Sequence, residues 1–531
     1  MKIEYRGTET RGILLSYPSF FSYGTFLFFY MLLVNPILGQ EDKSRSVLSN
    51  KDTYLEAREQ LVDRDQNIRF DADIELSLLE REVDLKLKNL QKEMRNYYDS
   101  IHFFPPSLPF QSVKTHMERT PLYQLFRSMP KGGLLHLHPA AALDFSWMLD
   151  TAILMKGCYV YWQEPNGSYV KGQMRFFPED QYPEGFLPIQ HLAREIPDFK
   201  EEMLDLLTLS AQESHPSYPV WREFENIFQR FYGFVQYRPI YKAVFRNIID
   251  SLRADGVQHI EMRVIPRELY DLEHPVGSGY YSPDTMLHYL QELEAEVQQD
   301  FPAYTHKVIV SDLRFESQET ILSALVKAFA YRKQYPKLIK GFDLVANEDN
   351  GNSTRYFLEN WIKMDSLAQE YGIDLPLYLH DGESDWASVD NLYDAVLLNS
   401  RRIGHGFNLN HFPTLIEEIK QRDICLEVSP LSNQVLGYVQ DLRVHPANYL
   451  LKKGVQISIN SDDPAIFGYS GLSYDFWTIF LAWELDLRSL KKLCLNSLSY
   501  SSLESREKDR AIANWEKRWE EFVKYAAVFL K

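Results

Sequence analysis

The chain has 531 residues, of which 45% are apolar, and a formal net charge of −17. This size suits one large domain with additions, or two or three smaller ones. The acidic balance repels phosphate backbones and anionic membrane surfaces. No basic run interleaved with aromatics offsets it, which excludes nucleic acid as a partner class.

Residues 1–39 read as a secretory signal peptide. Lys2, Arg6 and Arg11 form a basic leader, residues 26–34 an apolar core, Pro36 a break, and Gly39 a small residue for cleavage. The apolar core falls well short of the ~20 residues a membrane helix needs. A secreted, extracellular mature chain without a membrane span is therefore expected. Cys158, Cys425 and Cys494 are too few for a disulfide framework. Two sequons, Asn166-Gly167-Ser168 and Asn352-Ser353-Thr354, lie in polar, turn-rich sequence where glycans could sit.

Residues 41–115 are charged and helical in pattern. Leu79, Val83, Leu87 and Leu90 recur at helical spacing within 75–98, with Lys/Glu pairs on the other face. Such a helix packs on the main domain or on a second copy, and the pattern does not choose between them. From Gly133 the rhythm changes to short apolar runs alternating with amphipathic stretches. Eight candidate strands follow: 134–138, 259–265, 306–313, 338–345, 375–380, 402–405, 424–428 and 455–461. The fold class expected is α/β, a (β/α)8 TIM-type barrel over 116–531, with an N-terminal helical extension. An open doubly wound sheet shares the alternation, but no glycine-rich phosphate fingerprint follows the first strand. The first two strands are too far apart for one helix, so 151–218 reads as an inserted subdomain. Residues 503–530 place Trp515, Trp519, Phe522 and Ala526 on one helical face, expected to cap the barrel.

The chemistry-bearing residues all fall at the C-terminal ends of these strands, the active face of such barrels. His136 and His138, two apart on a strand, share one face. Alone, that pair would also fit two hydrogen-bonded core histidines. His380 ends the fifth strand and Asp462 the eighth, so four ligand-type side chains gather at one rim, a set suited to one Zn2+ per chain. Glu383 is placed for acid–base work, the bland alternative being an exposed loop carboxylate. His405, between Gly404 and Gly406, would orient or deprotonate a water; otherwise it is a core histidine. Asp463 serves substrate, or simply turns the chain before Pro464. A second metal would call for a lysine at the end of the fourth strand, whereas Lys340 lies near its start.

The segments 129–138, 341–345, 380–386, 402–407, 427–435, 461–467 and 471–476 together resemble, in order, spacing and flanking residues, one family. It is the secreted adenosine deaminase-related growth factors, the adenosine deaminase 2 branch of the adenosine deaminases. The resemblance spans roughly residues 60–530 and implies hydrolytic deamination of adenosine, or 2′-deoxyadenosine, to inosine and ammonia. It implies zinc on His136, His138, His380 and Asp462. His405 would assist the water attacking purine C6, Glu383 would protonate ring N1, and Asp463 would hydrogen-bond N7. Ala346 and Trp221 would contact substrate. It further implies a homodimer through a helical region matching 41–115, and an insert, 151–218, that engages a cell-surface receptor or glycan.

The chain departs from the family at several positions. Pro139 replaces a polar residue after the H-x-H pair, Ala346 a glycine, Asn347 a histidine and Leu313 a polar residue. Asp381 replaces an alanine and is expected to add charge at the mouth. Cys158 lacks its usual disulfide partner. These changes leave three outcomes open: weaker adenosine binding, another aminopurine nucleoside, or a growth-factor-like signalling protein with little activity. A different zinc hydrolase is a further alternative.

Overall fold

The computed structural model describes residues 50–213 and 219–530, so the signal-peptide segment 1–39 lies outside the described residues. The chain divides into two units, 1–62 and 63–531. Of the first, residues 50–62 are described, and 51–62 belong to the helix Lys51–Asn67, which buries no side chain.

The second unit contains the strands β1 (Gly132–Leu137), β2 (Cys158–Tyr161), β3 (Met174–Phe176), β4 (Phe186–Pro188), β5 (Val257–Val264), β6 (Thr305–Leu313), β7 (Ile339–Val345), β8 (His380–Asp381), β9 (Arg402–His405), β10 (Cys425–Val428) and β11 (Ile457–Ile459). β1, β5, β6 and β7 pair side by side in parallel, and so do β8 to β11. Two seams close these sheets into one ring: Phe342 of β7 bridges Leu377, and Leu137 of β1 bridges Asp462. At the second seam Asn460 supplies what the short β11 lacks. Its Oδ1 accepts the N–H groups of Leu135 and His136 at 2.9 and 3.1 Å. With helices between successive strands, this is a (β/α)8 barrel.

All eight expected barrel strands are present, and 402–405 has the expected bounds. The fifth is shorter than expected: only a single bridge at Leu377 precedes β8. Pro376 explains this, because it has no N–H to give to a ladder; its carbonyl accepts from Phe342 N at 2.9 Å. Between β1 and β5, the strands β3, β2 and β4 form a small antiparallel sheet. Two helices, Ile189–Glu195 and Phe199–Leu207, follow it. All three cysteines are buried and unbonded.

The helix Leu78–Ser100 starts with a capping box between Ser77 and Glu80. Val83 and Leu87 are buried on it, whereas Leu79 is exposed and Glu80 buried in its place. Glu80 turns inward because it has partners there: Trp519 Nε1 and Lys491 Nζ both donate to its Oε1 at 2.7 Å. Trp519 lies on the helix Ser505–Phe529, which buries Ala511, Trp515, Phe522 and Ala526 along the same face. Trp515 Nε1 reaches the Pro130 carbonyl at 2.8 Å, just before β1. The helix therefore covers the N-terminal end of that strand, opposite the rim where His138 and Asp462 lie.

The sequons differ in accessibility. Asn166 is exposed. Asn352, expected to accommodate a glycan, instead spends its amide on the Glu316 carbonyl at 3.1 Å, and Thr354 is fully buried. Among the described residues no helix is long and apolar enough to cross a membrane.

Trp519→Ala removes a buried indole and strands the Glu80 carboxylate. It is expected to lower unfolding stability by about 3–5 kcal/mol, read as a lower denaturant midpoint.

Candidate active site

Each rim residue sits where a parallel strand ends. β1 carries His136 and runs into His138, β8 starts at His380, β9 ends at His405, and Asp462 and Asp463 follow β11. The backbone bends sharply at four of these exits, with φ of +90° at Ala346, +84° at Gly382, +62° at His405 and +62° at Asp462. Non-glycine residues held in sparse backbone regions cost about 1–3 kcal/mol each and cluster at functional sites.

Nε2 of His136 and of His138 lie 3.2 and 3.3 Å from Asp462 Oδ1. The His380 ring is 4.3 Å from that of His136 and 5.4 Å from that of His138, centroid to centroid. The ligand atoms of all four residues lie within 4.8 Å of one another. His136 Nε2, His380 Nε2 and Asp462 Oδ1 are buried and make no hydrogen bond among the described residues. An unsatisfied buried polar atom costs about 1–3 kcal/mol, so three that converge on one point suit a cation. The residues present therefore fit a metal ion.

The tautomers suit it as well. His136 Nδ1 lies 2.9 Å from Glu427 Oε2, and His380 Nδ1 lies 2.6 Å from Asp343 Oδ2. An N–H given to a carboxylate at Nδ1 leaves the Nε2 lone pair free for the metal. Ser432 Oγ donates to Asp462 Oδ2 at 2.7 Å, leaving Oδ1 for the centre. Burial, then His136 and His138, pushes His380 well below its ordinary pKa, which keeps it in the neutral, ligating form.

Beneath the histidines lies a buried charge network. Arg263 donates through Nε to Asp343 at 3.0 Å and through Nη2 to Glu427 at 2.5 Å. Arg402 donates to Glu427 and to Glu261, both at 2.6 Å. Burial pushes the Glu427 carboxyl up, but Arg263 and Arg402 more than offset it and hold it well below the usual carboxylate range. Asp343, Arg402 and Glu427 fall in segments that carry the family resemblance, but nothing in the sequence assigned any of these backing residues a role. The alternation of His259, Glu261 and Arg263 along a buried strand was the available signal for a polar barrel interior.

Glu383, His405 and Asp463 face the same centre. His405 Nε2 is 3.7 Å from Glu383 Oε1, and the His405 ring is 4.8 Å from that of His136. Both His405 nitrogens, Glu383 Oε1 and Asp463 Oδ1 make no hydrogen bond among the described residues. Burial, then Asp462 and Glu348, raises Glu383 well above the ordinary carboxylate value. Burial and Asp462 do the same to Asp463, and burial holds His405 neutral. An acid shifted up and an imidazole shifted down thus flank one point, an arrangement that suits acid–base chemistry. They open into a cavity of about 560 Å3 that is also lined by Pro139, Trp221, Phe228, Leu313 and Ala346, within the size range of small-molecule sites.

The adenosine deaminase family model matches residues 192–517. Adenosine deaminase 2 of Dictyostelium discoideum is 32% identical, over 89% of this chain and 87% of that protein. Adenosine deaminase 2 of Sus scrofa is 33% identical, over 88% and 93%. This chain belongs to the adenosine deaminase family. An adenine deaminase from Arthrobacter aurescens shares the fold at a TM-score of 0.52 and 20% identity, covering 74% of this chain and 99% of its own. An amidohydrolase solved with bound Zn does so at 0.56 and 16%, covering 80% and 99%.

The positions expected from the sequence to depart from the family pattern fall into two groups. Pro139, Leu313 and Ala346 line the cavity, as does Trp221 from the helix Val220–Val235. Ala346 keeps a backbone conformation that favours glycine, despite its methyl group. Asn347 and Asp381 are buried and line no part of the cavity. Asn347 Oδ1 accepts from Asn350 N at 2.8 Å, closing its own turn. Asp381, expected to charge the mouth, instead accepts from Thr354 Oγ1 at 2.5 Å and lies 3.5 Å from Arg314. Successive strand residues face opposite sides, so His380 turning to the barrel axis sends Asp381 the other way. Lys340 Nζ is tied to Pro336 O and Glu504 at 3.1 and 3.2 Å, at the far end of β7 from the rim.

Asp343→Asn removes the charge that backs His380 and is expected to weaken metal affinity by about 10–100-fold, measured by competition with a chromogenic chelator.

Proposed function

We propose that this protein is a zinc-dependent adenosine deaminase that converts adenosine or 2′-deoxyadenosine to inosine, or its deoxy form, and ammonia. One observation carries the reading: four candidate metal-ligand side chains converge, and three of them line a cavity with Glu383, whose pKa burial raises well above its ordinary value, His405 and Asp463, in a chain of this family. His136, His138, His380 and Asp462 would hold the ion. Mixed imidazole and carboxylate donors suit zinc, which when bound supplies a water-derived nucleophile at neutral pH.

The side chains then divide the proton work. Glu383 gives its proton to ring N1, drawing electrons away from C6. His405 takes a proton from the attacking water as oxygen bonds to C6. Asp463, held protonated, has a hydrogen to offer N7, which can only accept. His405 passes its proton to the amino group, the C6–N bond breaks, and ammonia leaves. The proton on the new C6 hydroxyl returns to Glu383, which leaves a carbonyl at C6 and restores the acid.

The alternative, a signalling protein with weak or altered activity, draws on Pro139, Leu313 and Ala346. The loss of one sugar hydrogen bond costs about 1–3 kcal/mol, which weakens binding but leaves the proton relay whole. A pure signalling scaffold would have no use for that relay. We also infer extracellular action as a homodimer, from the leader-like pattern of residues 1–39 and the helical pattern of residues 41–115. Leu78, Leu85 and Tyr97, exposed on one N-terminal helix, support a self-association face.

Glu383→Gln keeps the shape but removes the acid. It is expected to reduce adenosine turnover by about 10²–10⁴-fold at unchanged metal content, followed as the shift of purine absorbance. A wild-type chain that holds one zinc and leaves adenosine unconverted would favour the signalling alternative. Ala346→Gly removes a methyl group from the cavity wall and relieves the positive φ. It is expected to raise kcat/KM for adenosine by up to about tenfold, equivalent to about 1.4 kcal/mol, mainly through KM.

A further inference from the structure

The segment 380–383 carries both a metal-ligand side chain and the proposed proton donor, and its polar groups are held from several sides. The His380 N–H goes to Asp343 Oδ1 at 2.8 Å and its carbonyl accepts from Arg314 Nη2 at 2.5 Å. The Asp381 carbonyl accepts from Gly406 N at 3.2 Å, and the Gly382 carbonyl from Asn408 N at 3.1 Å. Two further backbone donors converge on one carboxylate. Gly382 N–H points to Glu348 Oε1 at 2.9 Å and Glu383 N–H to Glu348 Oε2 at 2.6 Å. The left-handed Gly382 makes these successive amides point the same way. Asn391 Nδ2 holds the carboxylate in turn, 2.7 Å from Oε1, and Asn391 Oδ1 accepts from Thr354 N at 3.0 Å. Glu348 itself is buried and does not line the cavity.

We propose that Glu348 is the positioning residue for Glu383: its two oxygens clamp the Gly382 and Glu383 amides and so fix where the proton donor stands relative to the ring it protonates. Both oxygens are needed. Gln at this position would offer one acceptor and turn an N–H2 group towards the other amide. Asp would keep the charge but is one methylene too short to span both amides from the same backbone. A side chain held this way cannot slide along the cavity wall, and a displacement of about 1 Å at a reacting group can cost about 100-fold in rate. Substrate binding, by contrast, draws on the cavity walls and on Asp463, which Glu348 does not hold.

The inference rests on the deaminase reading of Glu383, and the experiment separates the two. Wild type, Glu348→Gln, Glu383→Gln and the double variant are loaded with zinc, and metal content, kcat and KM for adenosine are measured in each. Glu348→Gln is expected to lose about 10–100-fold in kcat, with KM and zinc stoichiometry unchanged. In the Glu383→Gln background the same change is expected to cost little, since no proton donor remains to be placed. An inactive wild type would overturn the deaminase reading. An active wild type with unaltered kcat in Glu348→Gln would overturn this inference alone, as would zinc loss, or an equal penalty in both backgrounds. Should Glu348→Gln fail to fold, Glu348→Asp read by hydrogen exchange decides: faster exchange at the Gly382 and Glu383 amides with the lower kcat supports the clamp, and unchanged exchange overturns it.

Discussion

The contact on which the site depends most is the one Arg263 makes with Asp343 and Glu427 inside the barrel. Three elements meet there, β5, β7 and β10, and each contributes a charge that cannot stand alone in a closed interior. Removing one partner of a buried pair typically costs 3–5 kcal/mol, because the other is left uncompensated. The same guanidinium indirectly sets two metal-ligand histidines, since the carboxylates it fixes are those that take the Nδ1 protons of His136 and His380. Strand register, charge balance and imidazole tautomer are therefore one arrangement seen at three depths of the barrel.

Above that network the rim is built from bends rather than from side-chain length. The positive φ at Ala346, Gly382, His405 and Asp462 ends the strands abruptly. The candidate site atoms can then be unpaired and buried together, at a local cost the barrel below absorbs. The result is a site organised around unmet demand: lone pairs without donors where the candidate ligands converge, and a carboxyl whose pKa burial raises well above its ordinary value on the cavity side.

Much of this was legible in the chain. Parallel strands covered on both faces read as short apolar runs, so the eight barrel strands could be placed from the sequence and matched to within a few residues. The one marked exception was the fifth, where Pro376 interrupts the ladder. Candidates for a metal group and an acid–base pair could also be named, because His, Asp and Glu fall at the ends of the first, fifth, sixth and eighth strands, and the fold brings them together. What could not be read was orientation and pairing. The inward or outward choice at Asp381 follows from β8 geometry, the burial of Thr354 from the packing of a loop, and the roles of Asp343, Glu427 and Glu348 from partners far away in sequence. Pairwise partnership over such separations leaves no periodicity for a single sequence to display.

Asn460 joins β11 to β1 through its side chain, between residues 325 positions apart. Immediately beyond that join, His136 and His138 on one strand approach Asp462 on the other. An ion shared by these residues would straddle the line where the ring of strands meets itself. It would thus act as a clasp as well as a reagent, fastening the first strand of the barrel to the last where backbone pairing is thinnest. Closing a long loop carries an entropic cost that grows only slowly with its length, so one strong tie at this point can hold the whole circuit shut. Metal loading would then tighten a closure that the Leu137–Asp462 bridge and the Asn460 side chain already make.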